Sequence, residues 1–380
     1  MSNAILLAPG PVQLHPEVQK ILAQPMIHHR TPEFDAILSR VLKRLPDLFQ
    51  THQPVLMHTS TGSGGMESLL VNLLSPGDSV LALVSGKFGE RWAEMAEVYG
   101  AHVHRLNIPW GEAVDPQQVE MHLRTHPQTK LVLTQATETS TATQHPIQKI
   151  GEIVAKTEAL LLVDGITAVG AYPLPMDAFN IDGLVAGSQK AIMLPTGLSF
   201  VSLSAKAWRA VELARTPRFY FDLKKELQAN KKGETLFSSS VPLIRALDYV
   251  LGRLEDIGYE KHFYQLRRRA DFMRAFSEKL RLPLFSKSPS DSVTAFVLPT
   301  DIDGAAFRQH LEQKYQVTLM GGQDQLKGKI IRLGHMGYIT DQDLIQTMTR
   351  LALALVDFKQ NIDPQAIQQS AEAWLKSHII

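Results

Sequence analysis

Between residues 55 and 203 short apolar runs alternate with longer amphipathic stretches. Residues 55–57, 79–84, 131–134, 160–163, 184–186 and 198–203 are too short and too apolar for surface helices, and the more polar 102–106 reads as a further strand, whereas 66–74 and 90–99 carry helical spacing. Buried strands joined by helices predict an α/β fold, a mostly parallel seven-stranded sheet with helices on both faces. Ahead of this region, residues 16–24 predict a short helix. A longer one runs from Pro32 to about Phe49, with Phe34, Ile37, Leu38, Val41, Leu42, Leu45 and Leu48 on one broad face. Pro46 argues against a straight end to that helix.

After residue 203 the rhythm changes. Residues 204–275 are largely helical, with a long helix over 242–257 leading away from the sheet. Strand-like alternation at 292–298, a helix over 303–314, strands at 317–320 and 330–333, and a helix from Asp341 to about Phe358 predict a small α+β domain. Asp363-Pro364 then opens a further helix carrying Ile367, Ala371, Trp374 and Leu375. The expected organisation is an N-terminal segment and large domain over 1–258, a small C-terminal domain over 259–358, and an extension over 359–380. No internal repeat interrupts it.

Composition narrows the function classes. Thirty-nine basic residues against 38 acidic ones leave a net charge of +1, so no nucleic-acid or anionic membrane surface is expected. No apolar run approaches the roughly 20 residues of a membrane span, and the N-terminus lacks the features of a secretory signal. A cytoplasmic protein is expected. Cysteine is absent, which excludes disulfides, thiolate metal sites and cysteine nucleophiles within this chain, including the thiol that a cysteine desulfurase requires. The 14 histidines show no metal-ligand spacing, and no metal is expected.

The polar residues that matter fall at strand ends, where open parallel sheets bind ligands. Asp164 ends the run 160–163, and Lys190 follows 184–186 through Gly187-Ser188-Gln189. An acid and a lysine in one crevice are what pyridoxal 5′-phosphate demands: an amine to form a Schiff base and a carboxylate to keep the pyridine nitrogen protonated. Burial would lower the lysine pKa and favour the free amine. Thr61-Gly62-Ser63-Gly64-Gly65-Met66-Glu67, between a strand and a helix, suits a phosphate cradle, although a tight turn would read the same way. It is neither a Walker loop nor a dinucleotide fingerprint. Phe88 could stack on a flat ring or pack beneath the next helix. The hydroxyl-rich stretch Thr137-Glu138-Thr139-Ser140-Thr141 could meet the ring, and Arg332 offers a planar fork for a carboxylate.

These residues resemble the class V pyridoxal-phosphate aminotransferases of the alanine–glyoxylate, serine–glyoxylate and serine–pyruvate group, and the soluble hydrogenase small-subunit family within it. The resemblance runs from Leu7-Ala8-Pro9-Gly10-Pro11 to about Phe358. It is carried by Val163-Asp164, Gly187-Ser188-Gln189-Lys190, Lys87-Phe88-Gly89-Glu90-Arg91-Trp92, Pro217-Arg218-Phe219-Tyr220, Gly321-Gly322-Gln323-Asp324 and Arg332-Leu333-Gly334-His335. It implies fold type I and a homodimer with active sites at the subunit interface. Lys190 would carry the cofactor and shuttle a proton, Asp164 would pair with the ring nitrogen, and Phe88 would stack on the ring. Ser63, Gly64, Gly65 and Gln189 would hold the phosphate, Thr139 would approach the ring, and Arg332 would bind the substrate α-carboxylate. Ser240 would reach the partner subunit's phosphate. The implied reaction is transamination between a small L-amino acid (alanine, serine or aspartate) and glyoxylate or pyruvate. A lyase or racemase using the same groups, and a non-catalytic partner subunit, are the alternatives. The chain departs from the pattern at Phe237, where a tyrosine is usual, at Ala142, where glycine is usual, and at Gly165-Ile166, where two small residues are usual.

Overall fold

The structure, a computed structural model, describes residues 4–379. Seven strands form the main sheet: β1 (Val55–His58), β2 (Ser79–Val84), β3 (His102–Asn107), β4 (Thr129–Gln135), β5 (Leu160–Asp164), β6 (Gly183–Gly187) and β7 (Ser199–Leu203). Their order is β1-β7-β6-β5-β4-β2-β3, and β7 runs antiparallel to both its neighbours. The strands β4 to β6 are buried on both faces, which is why they read as unbroken apolar runs. Alternate residues feed two cores: Leu161 and Val163 face one, Leu160 and Leu162 the other.

Helix α1 (Pro32–Phe49) covers the first face with Phe34, Leu38, Val41, Leu45 and Leu48. It passes through Pro46, whose missing N–H is offset by the burial of Leu45, Leu48 and Phe49 around it. Helices α2 (Gly62–Leu73) and α3 (Lys87–Val98) cover the second face through Met66, Leu69, Leu70 and Trp92. Both begin earlier than their apolar spacing suggests: α2 starts at Gly62 rather than Met66, and α3 at Lys87 rather than Glu90. Apart from Phe88, glycines and polar residues make up the first turns, so hydrophobic periodicity is silent there. Short helices over Pro116–Thr125 and Ile147–Val154, missed by the spacing, join α1 on the first face through Val119, Leu123, Ile147 and Ile150.

Helices α4 (Val241–Ile257) and α5 (Tyr259–Ala275) lead to a second sheet. Its strands β8 (Val293–Val297), β9 (Met320–Gly321) and β10 (Ile330–Gly334) lie in the order β8-β10-β9, all antiparallel. The expected strand over 317–320 is split. Val317–Thr318 instead pairs in parallel with Ile5–Leu6 near the start of the chain. Ile5 and Leu7 therefore pack in the core built by Phe272, Phe296, Phe307 and Leu333. Helix α6 (Asp341–Asp357) starts with a capping box between Thr340 and Asp343. Helix α7 (Pro364–Ser377) packs on the same core through Ile367, Ala371 and Leu375.

Candidate active site

The register of the main sheet sets Asp164 opposite Gln135 on one side and Val185 on the other. Two residues beyond Val185 the strand ends, and the turn Ser188–Ala191 brings Lys190 back over the same edge. One cavity of about 100 Å³ is lined by Thr61, Gly62, Ser63, Met66, Phe88, Arg91, Thr139, Asp164, Ile166, Thr167, Gln189 and Lys190. Residues from five separate strand ends and helix starts meet there.

Asp164 is buried, and its carboxylate accepts one hydrogen bond, from the Ile166 amide at 2.9 Å. Burial pushes its pKa up to about 7, and the Glu138 carboxylate adds to that. Lys190 donates to the Pro9 carbonyl at 2.7 Å, and burial lowers its pKa to about 8. The N-terminal Pro9-Gly10-Pro11 turn thus lies directly on the lysine. A Cβ at Gly10 would stand 2.6 Å from Lys190 Nζ, so glycine is required for the close approach.

The start of α2 supplies the cavity's other pole. Thr61 makes no side-chain cap, and no acid occupies the first turn, so the positive end of the helix faces the cavity uncompensated. Gly62 and Ser63 line the wall. Gly64 and Gly65 lie behind it, with their amides bonded to the Thr61 carbonyl at 2.9 and 3.3 Å. A Cβ on Gly65 would come within 2.6 Å of Val185, so its absence lets the helix lie close on the sheet. At the turn after β6, Gln189 Oε1 is buried with no hydrogen-bond partner.

Phe88 sits in the first turn of α3, half-buried, with the Arg91 guanidinium 5.1 Å from its ring centre. That turn is held by a residue for which the sequence reading assigned no role. Glu138 is wholly buried and accepts hydrogen bonds from the Phe88 and Gly89 amides, at 3.1 and 3.0 Å, and from the Ser140 amide and hydroxyl, at 3.1 and 2.5 Å. The Ser140 hydroxyl in turn accepts from the Lys87 amide at 3.1 Å. A carboxylate from one strand end thereby caps the helix that carries Phe88. Burial raises the Glu138 pKa, and these bonds oppose the rise.

Arg332 lies in the middle of β10, nearly buried. Its Nη1 donates to the Thr139 carbonyl at 2.9 Å and its Nε to the Gly321 carbonyl at 3.0 Å. The Thr139 hydroxyl bonds the Thr167 hydroxyl at 2.7 Å. The two carbonyls fix the guanidinium plane and leave its remaining donors free to bind a carboxylate. Ser240 lies outside this cavity, at the residue before α4. Ala142 takes a positive φ of 58°, the reason a glycine is at home there. Arg91, Thr167 and Glu138 were given no individual role from sequence. For Arg91, its place three residues after Phe88 on a helix was the available signal.

The site has unfilled needs: an acid without a cation, a helix start without an anion and a lysine near neutrality. Pyridoxal 5′-phosphate, with a pyridine nitrogen, a phosphate and an aldehyde on one ring, fits them together.

Comparison with known proteins agrees with this chemistry. A family model described as aminotransferase class-V matches residues 13–361. The soluble hydrogenase 42 kDa subunit of Anabaena cylindrica is 36 % identical over 358 residues, covering 93 % of each chain. L-aspartate–glyoxylate aminotransferase of Paracoccus denitrificans is 34 % identical over 360 residues, covering 93 % of this chain and 91 % of its own. The crystal structure of a subgroup IV aspartate aminotransferase from Thermus thermophilus superposes with a TM-score of 0.87 at 31 % identity, covering 93 % of this chain and 99 % of that one.

Proposed function

Because this chain belongs to the class V aminotransferase family, we propose that it transfers an amino group from a small L-amino acid, alanine, serine or aspartate, to glyoxylate or pyruvate. Pyridoxal 5′-phosphate is the proposed cofactor; when bound it supplies an aldehyde for the amino group and a ring that accepts the electron pair released at the substrate Cα.

Each step asked of the protein has a candidate side chain. Lys190, with its pKa near 8, offers a substantial neutral fraction at physiological pH, and only the neutral amine is a nucleophile or a base. Freed by the incoming substrate amine, Lys190 Nζ takes the Cα proton and returns it on the other side of the transfer. Asp164 holds a proton on the ring nitrogen; a cation beside it would reverse the burial that now favours its neutral form. Phe88 lies against the ring. Ser63, Gly62 and Gln189 hold the phosphate at the start of α2, with Gly64 and Gly65 keeping that helix close to the sheet and Thr139 facing the ring. Arg332 binds the substrate α-carboxylate, and its two carbonyl bonds fix the orientation before substrate arrives.

A homodimer in which Ser240 reaches the partner copy's phosphate is part of this proposal. Its support is the aromatic group beside Ser240: Phe219 is 76 % exposed, and Tyr220 stacks on Phe237 at 4.9 Å.

The observation that carries the reading is the convergence of Asp164 and Lys190, both buried, on one cavity with an uncapped helix start. Its test is the visible spectrum of the purified protein before and after L-serine, L-alanine and L-aspartate are added separately. Loss of the yellow band with one donor and release of its 2-oxo acid identify that donor. Absence of a band after adding pyridoxal 5′-phosphate, or more than one equivalent of product per site formed without an oxo-acid acceptor, overturns the proposal.

A further inference from the structure

A second cavity, of about 180 Å³, lies on the far side of the lysine turn. It is walled by His15 from the N-terminal segment, Ala191 and Met193 just after Lys190, Arg253 on α4, and His262, Gln265, Leu266 and Arg269 on α5. Gly337, Tyr338 and Ile339, a few residues past Arg332, close it. No aspartate or glutamate lines it.

Neither of its arginines is in an ion pair among the described residues. The Arg253 guanidinium makes no hydrogen bond or ion pair with any described residue. Arg269 spends its donors on backbone oxygens, with Nη1 to the His335 and Gly337 carbonyls at 3.0 Å each and Nη2 to the Ile339 carbonyl at 2.8 Å. Neither arginine meets a carboxylate. Asp341 and Asp343 act on Arg269, and Glu17 on His15, only from outside the lining. Arg253 is near enough to Arg269, His15 and His262 to disfavour a positive charge on each. Two like charges in one recess repel, an arrangement that an anion would relieve.

The neutral groups present donors too. His15 Nδ1 accepts from the Glu17 amide at 3.2 Å, which leaves its proton on Nε2. The His15 ring lies edge-on to Tyr338 with centres 4.9 Å apart, so both flank the same opening. Gln265 and the Tyr338 hydroxyl add further donors. His262 is already committed, its Nε2 donating to the Gly170 carbonyl at 2.9 Å.

We propose that this cavity is a binding site for a small oxyanion, a phosphate or a carboxylate, held by the Arg253 fork and the Arg269 charge and separate from the site at Lys190. An occupant would touch both catalytic arms. Met193 donates its amide to the Lys190 carbonyl at 2.9 Å, and Gly337–Ile339 continues the chain from Arg332. The proposal does not depend on which amino donor the enzyme uses.

The test is the melting midpoint of the cofactor-loaded protein as inorganic phosphate is raised at constant ionic strength with sodium chloride. A ligand bound only by the folded state gives a saturable rise of a few degrees. That rise is expected in the wild type and in Ser63→Ala, and is expected to vanish in Arg253→Gln. Glyoxylate titrated into the Arg332→Gln protein separates the two sources: a response there that Arg253→Gln removes makes a carboxylate the occupant, and a response to phosphate alone makes it phosphate. Arg253→Lys, which keeps the charge without the fork, should weaken binding several-fold, and it serves if Arg253→Gln does not fold. No saturable response to either probe, or an unchanged one in the Arg253 variants, overturns the proposal.

Discussion

Replacing Asp164 by asparagine should stabilise the cofactor-free protein while destroying its catalytic use. In the native fold the carboxyl titrates near pH 7, against 3.8 for the free group, because burial penalises its charge. Between those values the folded state holds a proton that the unfolded chain has lost, so stability falls as pH rises through that window. At about 1.4 kcal/mol per unit, the ionised carboxylate costs roughly 1.5 kcal/mol at pH 5 and about 4 kcal/mol at pH 8. The asparagine carbonyl can keep the 2.9 Å bond from the Ile166 amide, but its NH₂ finds no acceptor, a loss of about 1 kcal/mol. Asp164→Asn is therefore worth close to nothing at pH 5 and about +3 kcal/mol at pH 8. Urea unfolding of both cofactor-free proteins at the two pH values measures the gap. An equal gap at both, or a less stable variant at pH 8, would refute burial as the dominant influence on this group. In the loaded enzyme the same change should lower kcat by orders of magnitude, because an amide cannot hold a proton on the ring nitrogen.

Three further outcomes follow from the geometry. Gly62→Ala would set a methyl 2.5 Å from Ile166 Cδ1, so it should weaken cofactor binding about tenfold, and adding Ile166→Ala should restore it; a double-mutant cycle on cofactor affinity without such rescue would show that the two do not meet. Glu138→Gln leaves one carbonyl oxygen for four donors, two of them the Phe88 and Gly89 amides, and should cost about 2–3 kcal/mol in denaturant unfolding while lowering cofactor affinity through Phe88; a silent substitution would mean that α3 holds its own start. Lys190 titrates near pH 8 before the cofactor arrives, so the rate of cofactor incorporation should rise about tenfold per unit below that pH and level off above it; a flat profile in stopped-flow absorbance would remove the free amine from the slow step.

The main sheet was legible because a strand buried on both faces has only one way to be written. The run 160–163 states both its burial and its end, and the end locates Asp164; 184–186 does the same for Lys190. Helix starts were less legible. Gly62 and Lys87 open their helices without a side-chain cap of their own, and the α3 cap comes from Glu138, about fifty residues further on. No local pattern can announce a partner at that distance. The same holds for Pro9 against Lys190, for Arg332 against the Thr139 carbonyl, and for the strand at 317–320, broken by a pairing with residues near the opposite end of the chain. What a residue does by its type was readable; what it does by long-range contact was not.

The pairing of Ile5–Leu6 with Val317–Thr318 sets an order on biosynthesis. During translation the first residues emerge long before their partner strand exists, while residues 55–203 can complete the seven-strand sheet with the lysine already at its edge. Until residue 318 is made, that pairing cannot help Val12 and Val18, buried in the large core, to hold the Pro9 carbonyl over the amine. A nascent chain stalled before this point would carry a formed sheet whose nucleophile lacks part of its cover.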